Sequence, residues 1–184
     1  MTDLALIAQV ITTGNERAFG QLVQRHQEAV RRFLLRLCSG DSMRADDLAQ
    51  ETFIRAWQGL NSFRQLSGFQ TWLMKIAYHV FLDDERKEKA HPQDLPKEGN
   101  ADWTASSLVT SSQESASEGL LRHDIDLALS TLSEAERTCV VLQCIEGRSI
   151  RDIASITGLG ENTIKSHLLR GKKHLATFLR NNGY

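Results

Sequence analysis

The sequence contains few prolines and few aromatic residues. Only two of its 184 residues are proline and 7% are aromatic, whereas Leu, Ala, Arg and Glu are frequent. These four residues are strong helix formers, and no segment alternates polar and apolar residues as a strand does. We therefore expect an all-α protein.

The usual patterns for cross-links, metals and catalysis are also missing. The cysteines, Cys38, Cys139 and Cys144, are odd in number and form no C-x-x-C pair, so we expect neither a disulfide framework nor a zinc site. The six histidines show no helical ligand pair, and no glycine-rich phosphate loop, H-E-x-x-H or G-x-S-x-G motif occurs. We predict no catalytic residue, no metal and no cofactor, and we expect Cys139 and Cys144 to pack as small apolar groups.

Long apolar runs are absent as well. No stretch approaches the ~18 uninterrupted apolar residues that cross a bilayer, and Asp3 stands where a secretory signal would carry basic residues. We expect a cytoplasmic protein without direct membrane insertion. The formal net charge is -1, so any affinity for nucleic acid has to come from a local cluster of cations.

The chain divides into two parts that can fold and a linker. Both prolines lie within residues 91–117, which are rich in serine, carry a net charge of -3 and show little apolar periodicity. Residues 1–90 and residues 118–184 each carry a net charge of +1. The alternative is that Trp103 and Leu108 dock the linker onto a single globule.

Residues 1–90 show the spacing of a small helical bundle. Apolar residues recur at intervals of three and four in four segments, which are residues 4–11, 15–40, 42–61 and 69–81. Asn15 is a candidate N-cap, and Ser39-Gly40 ends the second segment. Four such apolar stripes can close a bundle.

The C-terminal part has the spacing of a helix-turn-helix. Ala154, Gly158 and Ile164 lie where a close helix crossing, a positive-φ turn and an apolar plug are needed. Ser149 is a candidate cap for the first helix, and residues 160–161 begin the second.

The second helix of this motif carries a face suited to DNA. Four residues outside its apolar stripe are Thr163, Lys165, Ser166 and Arg170. No acid follows Glu161, whereas the cations there are Lys165, Arg170, Lys172, Lys173 and Arg180. We predict contacts with phosphates and base edges. The alternative is an ordinary helical hairpin whose cations complement the helix dipole. About four phosphate contacts give modest affinity, so another component must hold the protein on DNA.

That component is indicated by residues 45–60. One helical face would carry Asp47, Gln50, Glu51 and Ile54, and a more inward one Leu48, Phe53 and Trp57. An acidic face beside an apolar one can bind a protein partner. The alternative is that the acids only favour the positive end of their helix.

Aromatic residues with interleaved cations follow this helix. The rings are Phe63, Phe69, Trp72, Tyr78 and Phe81, and the cations are Lys75, His79, Arg86, Lys87 and Lys89. Stacking on a ring contributes about 1–3 kcal/mol per base, so this pattern predicts capture of single-stranded DNA. The alternative is a core role, which we expect for Trp72, Ile76 and Phe81. Residues 63–69 and the polar face of the next helix then remain as the candidate surface.

The sequence resembles the two-domain extracytoplasmic-function (ECF, group 4) sigma factors of bacterial RNA polymerase, in the sigma-70 family. The resemblance is carried by DDLAQETFIRAW, SFRQLSGFQTWLMKIA and LSEAERTCVVLQCIEGRSIRDIASITGLGENTIKSHLLRGKKHL. It covers nearly the whole chain apart from the linker. It implies a region 2 bundle at 1–90, a flexible linker at 91–117 and a region 4 helix-turn-helix at 118–184, within which residues 130–148 look like region 4.1.

The resemblance implies three sets of site residues. Asp47, Gln50 and Glu51, with Ile54 beside them, match the face that docks on the clamp helices of the polymerase beta-prime subunit. The set for the minus-ten promoter element and its flipped base is Phe63, Arg64, Gln65, Ser67, Phe69, Lys75 and His79. The set for the minus-35 element is Thr163, Lys165, Ser166, Leu169, Arg170 and Lys173. The beta flap is a further expected polymerase contact.

Two features depart from the family pattern. His79 stands where many relatives have Asn, which bears on the identity of the captured base. The run DDERKEKA is less basic than the Arg-rich run of relatives, which implies weaker phosphate contacts.

The sequence thus predicts a specificity subunit that holds both promoter elements on polymerase and assists melting. We expect an anti-sigma factor to cover the DNA-facing surfaces when the protein is idle, in solution or at the inner membrane, and the protein to join the nucleoid when active. The first alternative is a stand-alone helix-turn-helix regulator that acts without polymerase. The second is a helical adaptor or anti-regulator with an incidental basic tail.

Overall fold

A computed structural model describes residues 2–64, 68–90 and 124–183. Throughout these ranges the regular secondary structure is helical, which confirms the all-α expectation. The predicted linker, with Trp103 and Leu108, lies outside the described residues.

The helices form two bundles. The N-terminal bundle contains α1 (Asp3–Thr13), α2 (Glu16–Leu37), α3 (Ser42–Gly59), a 3₁₀ turn (Leu60–Ser62) and α4 (Phe69–Ala90). The C-terminal bundle contains residues 124–130 (α5), α6 (Glu134–Val140), a π-helical turn (Val141–Ile145), α7 (Ile150–Thr157) and α8 (Glu161–Asn181). The first three predicted N-terminal segments match α1 to α3 to within three residues at their ends, and the fourth begins with α4 at Phe69 but stops nine residues before the end of that helix at Ala90.

Local sequence explains where the helices begin and end. The Asn15 side chain accepts a hydrogen bond from the Ala18 amide at 3.2 Å and caps α2, as predicted. After α2 the backbone turns left-handed at Ser39 (φ 56°) and Gly40 (φ 91°), which explains why the helix stops there. Asp41 then caps α3 by accepting from the next turn.

The N-terminal core is built mainly from the apolar face of α2. Fully buried residues on that face include Leu22, Val30, Phe33, Leu34 and Leu37, and they pack against α3 and α4. Each such side chain contributes about 1.5–3 kcal/mol on removal from water, so this face is the main support for the surfaces that α3 and α4 present outward.

Ion pairs connect the C-terminal half of α4 with α3. Arg44 contacts Asp84 and Glu85, each at 2.7 Å, and Arg55 donates to Asp83 at 2.7 Å. The acids of the DDERKEKA run therefore pair with arginines of α3, which gives this departure from the family pattern a structural role.

The α3–α4 ion pairs make stability sensitive to acid. The hydrogen bond from Arg55 lowers the pKa of the Asp83 carboxyl. Burial acts to raise the pKa of Glu85, but the hydrogen bond and charge of Arg44 outweigh burial and lower it overall. A carboxyl whose folded pKa is depressed contributes stability that is present above its unfolded value and lost as pH falls through the folded value.

We therefore expect the urea midpoint of the chain to fall as pH is lowered from about 5 to about 3. The variant Asp83→Asn, Glu85→Gln should be less stable at the higher pH and lose less on acidification. Glu28→Gln, at an exposed site of α2, is the control and should follow the parent chain. An equal acid-induced loss in all three proteins would contradict the assignment.

The two bundles contact one another, whereas the sequence favoured two parts that fold separately and left a single globule as the alternative. Helix α7 lies against α4, and buried apolar side chains of both bundles form one continuous cluster. Arg32 of α2 contacts Glu146 at 3.0 Å, and Arg36 forms an ion pair with Asp126. The described parts of the chain thus form one packed unit.

Arg137 is a central group of this contact. Its guanidinium donates to the Leu37 carbonyl at 2.9 Å and the Ser39 hydroxyl at 2.6 Å, both at the end of α2. It also donates to the carbonyls of Leu129 at 3.1 Å and Leu132 at 3.3 Å in its own bundle. Burial lowers the pKa of Arg137, and the carbonyl ends of two helices stabilise its charge.

Candidate protein and nucleic-acid interfaces

The predicted docking residues lie on one exposed face of α3. Asp47 and Gln50 are exposed, and Ile54 is 52% exposed. Glu51 is partly exposed and accepts a hydrogen bond from Arg55 at 2.7 Å. The face combines acid and apolar surface, a composition that suits a partner helix with basic and apolar residues.

Trp57 extends this face, although its spacing had suggested an inward position. Its side chain is exposed and packs edge-on against Phe19, with ring centroids 4.9 Å apart. The expectation that Trp57 lies inward is therefore wrong, because α2 covers only one edge of the ring. Leu48 is buried, as expected.

An aromatic cluster lies where α3 passes into α4. The rings of Phe63, Phe69 and Trp72 contact one another, with centroids 5.5 to 5.6 Å apart. Phe63 and Phe69 are buried, whereas Trp72 is partly exposed. Phe69 therefore supports the cluster from behind, and the accessible aromatic surface belongs to Trp72.

A cavity of about 580 Å³ opens beside this cluster. Its lining includes the rings of Phe63 and Trp72, the basic residues Arg55, Arg64, Lys75 and His79, and Ser155 from α7. The combination of a ring with cations suits an unstacked base and its phosphate. Trp72 and Ile76 line this cavity and are partly buried side chains packed against the core, so the core prediction holds for them only in part, whereas Phe81 is buried as predicted.

The cavity brings together four of the predicted minus-ten residues, which are Phe63, Arg64, Lys75 and His79. Gln65 and Ser67 lie outside the described residues. The His79 ring is fixed by a hydrogen bond of 2.7 Å between its Nδ1 and the Lys75 carbonyl. Because a carbonyl only accepts, Nδ1 is the donor, and the other ring nitrogen is available to a ligand.

The helix-turn-helix has the predicted geometry. Ser149 and Asp152 form a capping box at the start of α7, and Gly158 ends the helix with φ 74°. Ile164 and Leu168 of α8 are buried. The spacing that suggested the motif therefore reflects a left-handed turn and an apolar plug, as expected.

The outer face of α8 carries all six predicted minus-35 residues, and every one of them is exposed: Thr163, Lys165, Ser166, Leu169, Arg170 and Lys173. Leu169 is an apolar residue among them, with 73% of its surface accessible. Apolar and cationic groups thus stand side by side on a helix that begins at a glycine N-cap, the arrangement that base edges and phosphates require.

The cysteines divide into two kinds. Burial raises the pKa of Cys38 to about 12 and that of Cys139 to about 11, so both are inert thiols in the interior. Cys144 is exposed, which corrects the expectation that it packs as an apolar group. Among the described residues, no cluster of three or more metal-ligating side chains occurs.

Comparison with known proteins identifies the family. Residues 22–91 match the model of Sigma-70 region 2, and residues 122–175 match that of Sigma-70, region 4. The ECF RNA polymerase sigma factor SigM of Mycobacterium tuberculosis is 34% identical over 178 residues, which cover 97% of this chain and 85% of that protein. The chain belongs to the ECF RNA polymerase sigma factors. The ECF RNA polymerase sigma-E factor of Haemophilus influenzae is 31% identical over 94% of this sigma factor and 93% of its own length.

Solved structures agree with this assignment. The sigma factor RpoE of Bartonella quintana, in complex with the anti-sigma factor NepR, superimposes with a TM-score of 0.71 at 30% identity and covers 88% of this chain and 96% of its own. CnrH, in complex with the cytosolic domain of CnrY, gives 0.70 at 26% identity over 98% of this chain and 99% of its own. In the described part of this sigma factor, no helix has the length and apolar character of a membrane span.

Gly171 allows α8 of this sigma factor to approach α6 closely. A Cβ added there would lie 2.8 Å from Val140 Cγ2 and 3.4 Å from Glu136 Cβ. We expect Gly171→Ala to destabilise the chain by about 1–2 kcal/mol in urea unfolding, because overpacking outweighs the usual helix gain. Gly20→Ala, in open space on α2, should instead stabilise by about 0.5–1 kcal/mol. Effects of the same sign at both sites would refute this explanation.

Proposed function

We propose that this sigma factor directs transcription by carrying both promoter-reading surfaces to core RNA polymerase. The observation that carries the proposal is the exposed face of α3, where Asp47, Gln50 and Ile54 lie beside the exposed ring of Trp57. A regulator that binds duplex DNA alone has no use for an acidic and apolar face of this kind. The proposed occupants are the clamp helices of the beta-prime subunit, and the beta flap is proposed as a second contact.

The C-terminal bundle would read the minus-35 element. Helix α8 presents cations and Leu169 on one face, and its packing through Ile164 and Leu168 keeps that face turned outward. About four phosphate contacts give only modest affinity, so polymerase docking supplies the remaining binding energy. Selectivity would then depend on the spacing that polymerase imposes on two DNA elements.

The N-terminal bundle would read the minus-ten element by holding an unpaired base. The cavity offers the Trp72 ring for stacking and Lys75 and His79 for polar contacts. Stacking energies of about 1–3 kcal/mol are comparable with the cost of extracting one base from duplex, so capture would favour strand separation on the correct sequence. Nucleotide addition would remain with polymerase, since we assign no catalytic residue to this chain.

An anti-sigma factor is proposed as the partner of the idle protein. The support is that the RpoE and CnrH structures are complexes with NepR and with the cytosolic domain of CnrY. A cytoplasmic location follows from this proposal, with release to the nucleoid on induction. The inhibitor can be soluble or held at the inner membrane.

Run-off transcription tests the proposal. Core polymerase with this sigma factor is given a pool of promoters randomised in both elements, and selected sequences are compared with those of core polymerase alone. Enrichment of two short elements at a fixed separation is expected. Lys165→Ala with Arg170→Ala should abolish selection in the upstream element only. A tight specific footprint by the purified chain, without polymerase, would support a stand-alone regulator instead.

A further inference from the structure

Glu136 is a buried acid next to the DNA-facing helix and belongs to none of the surfaces described above. It lies on α6, is 6% exposed, and occupies the third helical position of a capping box with Ser133. The capping box alone would explain an acid at this position. Its carboxylate, however, also contacts two basic side chains of α8.

We propose that Glu136 is a positioning residue that orients the Arg170 guanidinium for reading the minus-35 element. Arg170 Nε lies 3.3 Å from Glu136 Oε1, and His174 Nδ1 lies 3.4 Å from Oε2. This inference rests on the proposed function, because it assumes that the outer face of α8 meets DNA.

The close packing of α6 on α8 makes this contact possible. Gly171 lies between the two basic residues in sequence, and its missing side chain lets the backbone of α8 approach Glu136 and Val140. Arg170 and His174 are one helical turn apart and flank the point of closest approach, so both reach the same carboxylate. The ion pairs are therefore built into the helix crossing.

The charge of Glu136 is maintained at this site. Burial acts to raise its pKa, but the hydrogen bonds of Ser133, with the charges of His174 and Arg170, lower it overall. An ionised carboxylate beside phosphates costs binding energy unless a cation compensates for it. The paired arginine supplies that compensation.

The contact geometry suits orientation of Arg170 toward a base. Glu136 engages the guanidinium at Nε, and His167 Nδ1 lies 3.1 Å from Nη2, so most of the N–H donors remain for a ligand. An arginine without a protein partner loses side-chain entropy when it becomes ordered on DNA. An arginine already held by an ion pair has lost part of that entropy before DNA binds. Bidentate contact with a guanine edge requires such a fixed plane.

Repulsion of DNA by the Glu136 carboxylate would give a different result in binding measurements from orientation of Arg170. If the acid only repels DNA, its neutralisation should strengthen binding to every sequence and leave base preference unchanged. If it orients Arg170, neutralisation should weaken discrimination at the base pairs that Arg170 reads and nowhere else.

The test uses holoenzyme reconstituted from core polymerase and the full chain, on duplex promoters with each base at each minus-35 position. Glu136→Gln retains a side chain that serves the capping box while removing the charge, so the fold is expected to hold, and urea unfolding checks it. Glu134→Gln is the matched control, because Glu134 is a partly exposed acid of α6 that contacts Lys89 of α4 and not α8.

We expect Glu136→Gln to reduce base discrimination about fivefold at the positions that Arg170→Ala also affects. In an Arg170→Ala background the same substitution should have no further effect, and Glu134→Gln should have none in either background. Uniformly tighter binding, unchanged discrimination or an undiminished effect without Arg170 would each overturn the inference. If Arg170→Ala and Lys165→Ala leave binding to every promoter unchanged, the proposed function itself fails.

Discussion

Reversing the charge of the α3 face should reduce transcription by the holoenzyme about 100-fold, because like charges brought together at a protein interface cost several kcal/mol. The change is Asp47→Lys with Gln50→Lys, at two exposed positions. It leaves the Glu51–Arg55 ion pair in place, so the fold should be unaffected. The measurement is competition of the variant with labelled parent chain for core polymerase, followed by run-off transcription.

A matched control is available on the neighbouring helix. Gln24→Lys with Glu28→Lys makes the same change of charge at two exposed positions of α2 that are also within one turn of each other. This variant should compete for polymerase nearly as well as the parent chain. Equal losses in the two variants would indicate a general charge effect and contradict the assignment of the α3 face.

Replacing Arg137 with alanine should cost about 2–4 kcal/mol of unfolding free energy, the largest stability effect we expect from a single substitution. The reason is that carbonyls at the ends of α2 and α5 lose a charged donor together, including those of Leu37 and Leu129. Urea unfolding of the full chain measures the loss. The variant should also expand in small-angle scattering, since Arg137 ties the two bundles together.

Arg31→Ala is the control for Arg137. Arg31 contacts Asp46 at 2.6 Å, but both side chains are exposed and the pair lies within the N-terminal bundle. Such surface pairs contribute at most about 1 kcal/mol. A loss at Arg137 no greater than at Arg31, with no change in scattering, would show that the bundles do not depend on this group.

Local features of the fold could be predicted from the sequence because their causes are local. Asn15, Ser149 and Gly158 act through bonds or dihedral angles within a few residues, and each does what its position suggested. The exposed face of α8 was also predictable, since a stretch with cations and no acid after Glu161 cannot be buried.

Exposure at the edge of an apolar stripe could not be predicted in this way. Trp57, Trp72 and Ile76 have the spacing of core residues, yet each is partly open. Periodicity indicates which side of a helix faces inward, but it does not indicate how far the neighbouring helix extends over that side. Cys144 is also exposed, near the end of a short helical turn.

The contact between the bundles left no signal in the sequence. Arg137 meets Leu37 and Ser39 about one hundred positions away, and a single arginine on a helix normally points to solvent. Glu136 was overlooked because its partners Arg170 and His174 lie 34 and 38 positions away in the sequence. Long-range partners of this kind require the three-dimensional structure.

Arg55 joins two of the surfaces described above. One guanidinium donates to Glu51 on the docking face and to Asp83 on α4, and the same residue lines the aromatic cavity. A partner that draws the Glu51 carboxylate away changes the balance of charge at the cavity wall. By thermodynamic linkage, a phosphate held there must in turn alter the affinity for that partner. If the α3 face docks on polymerase and the cavity holds melted DNA, as proposed above, the two binding events are coupled through the Arg55 side chain.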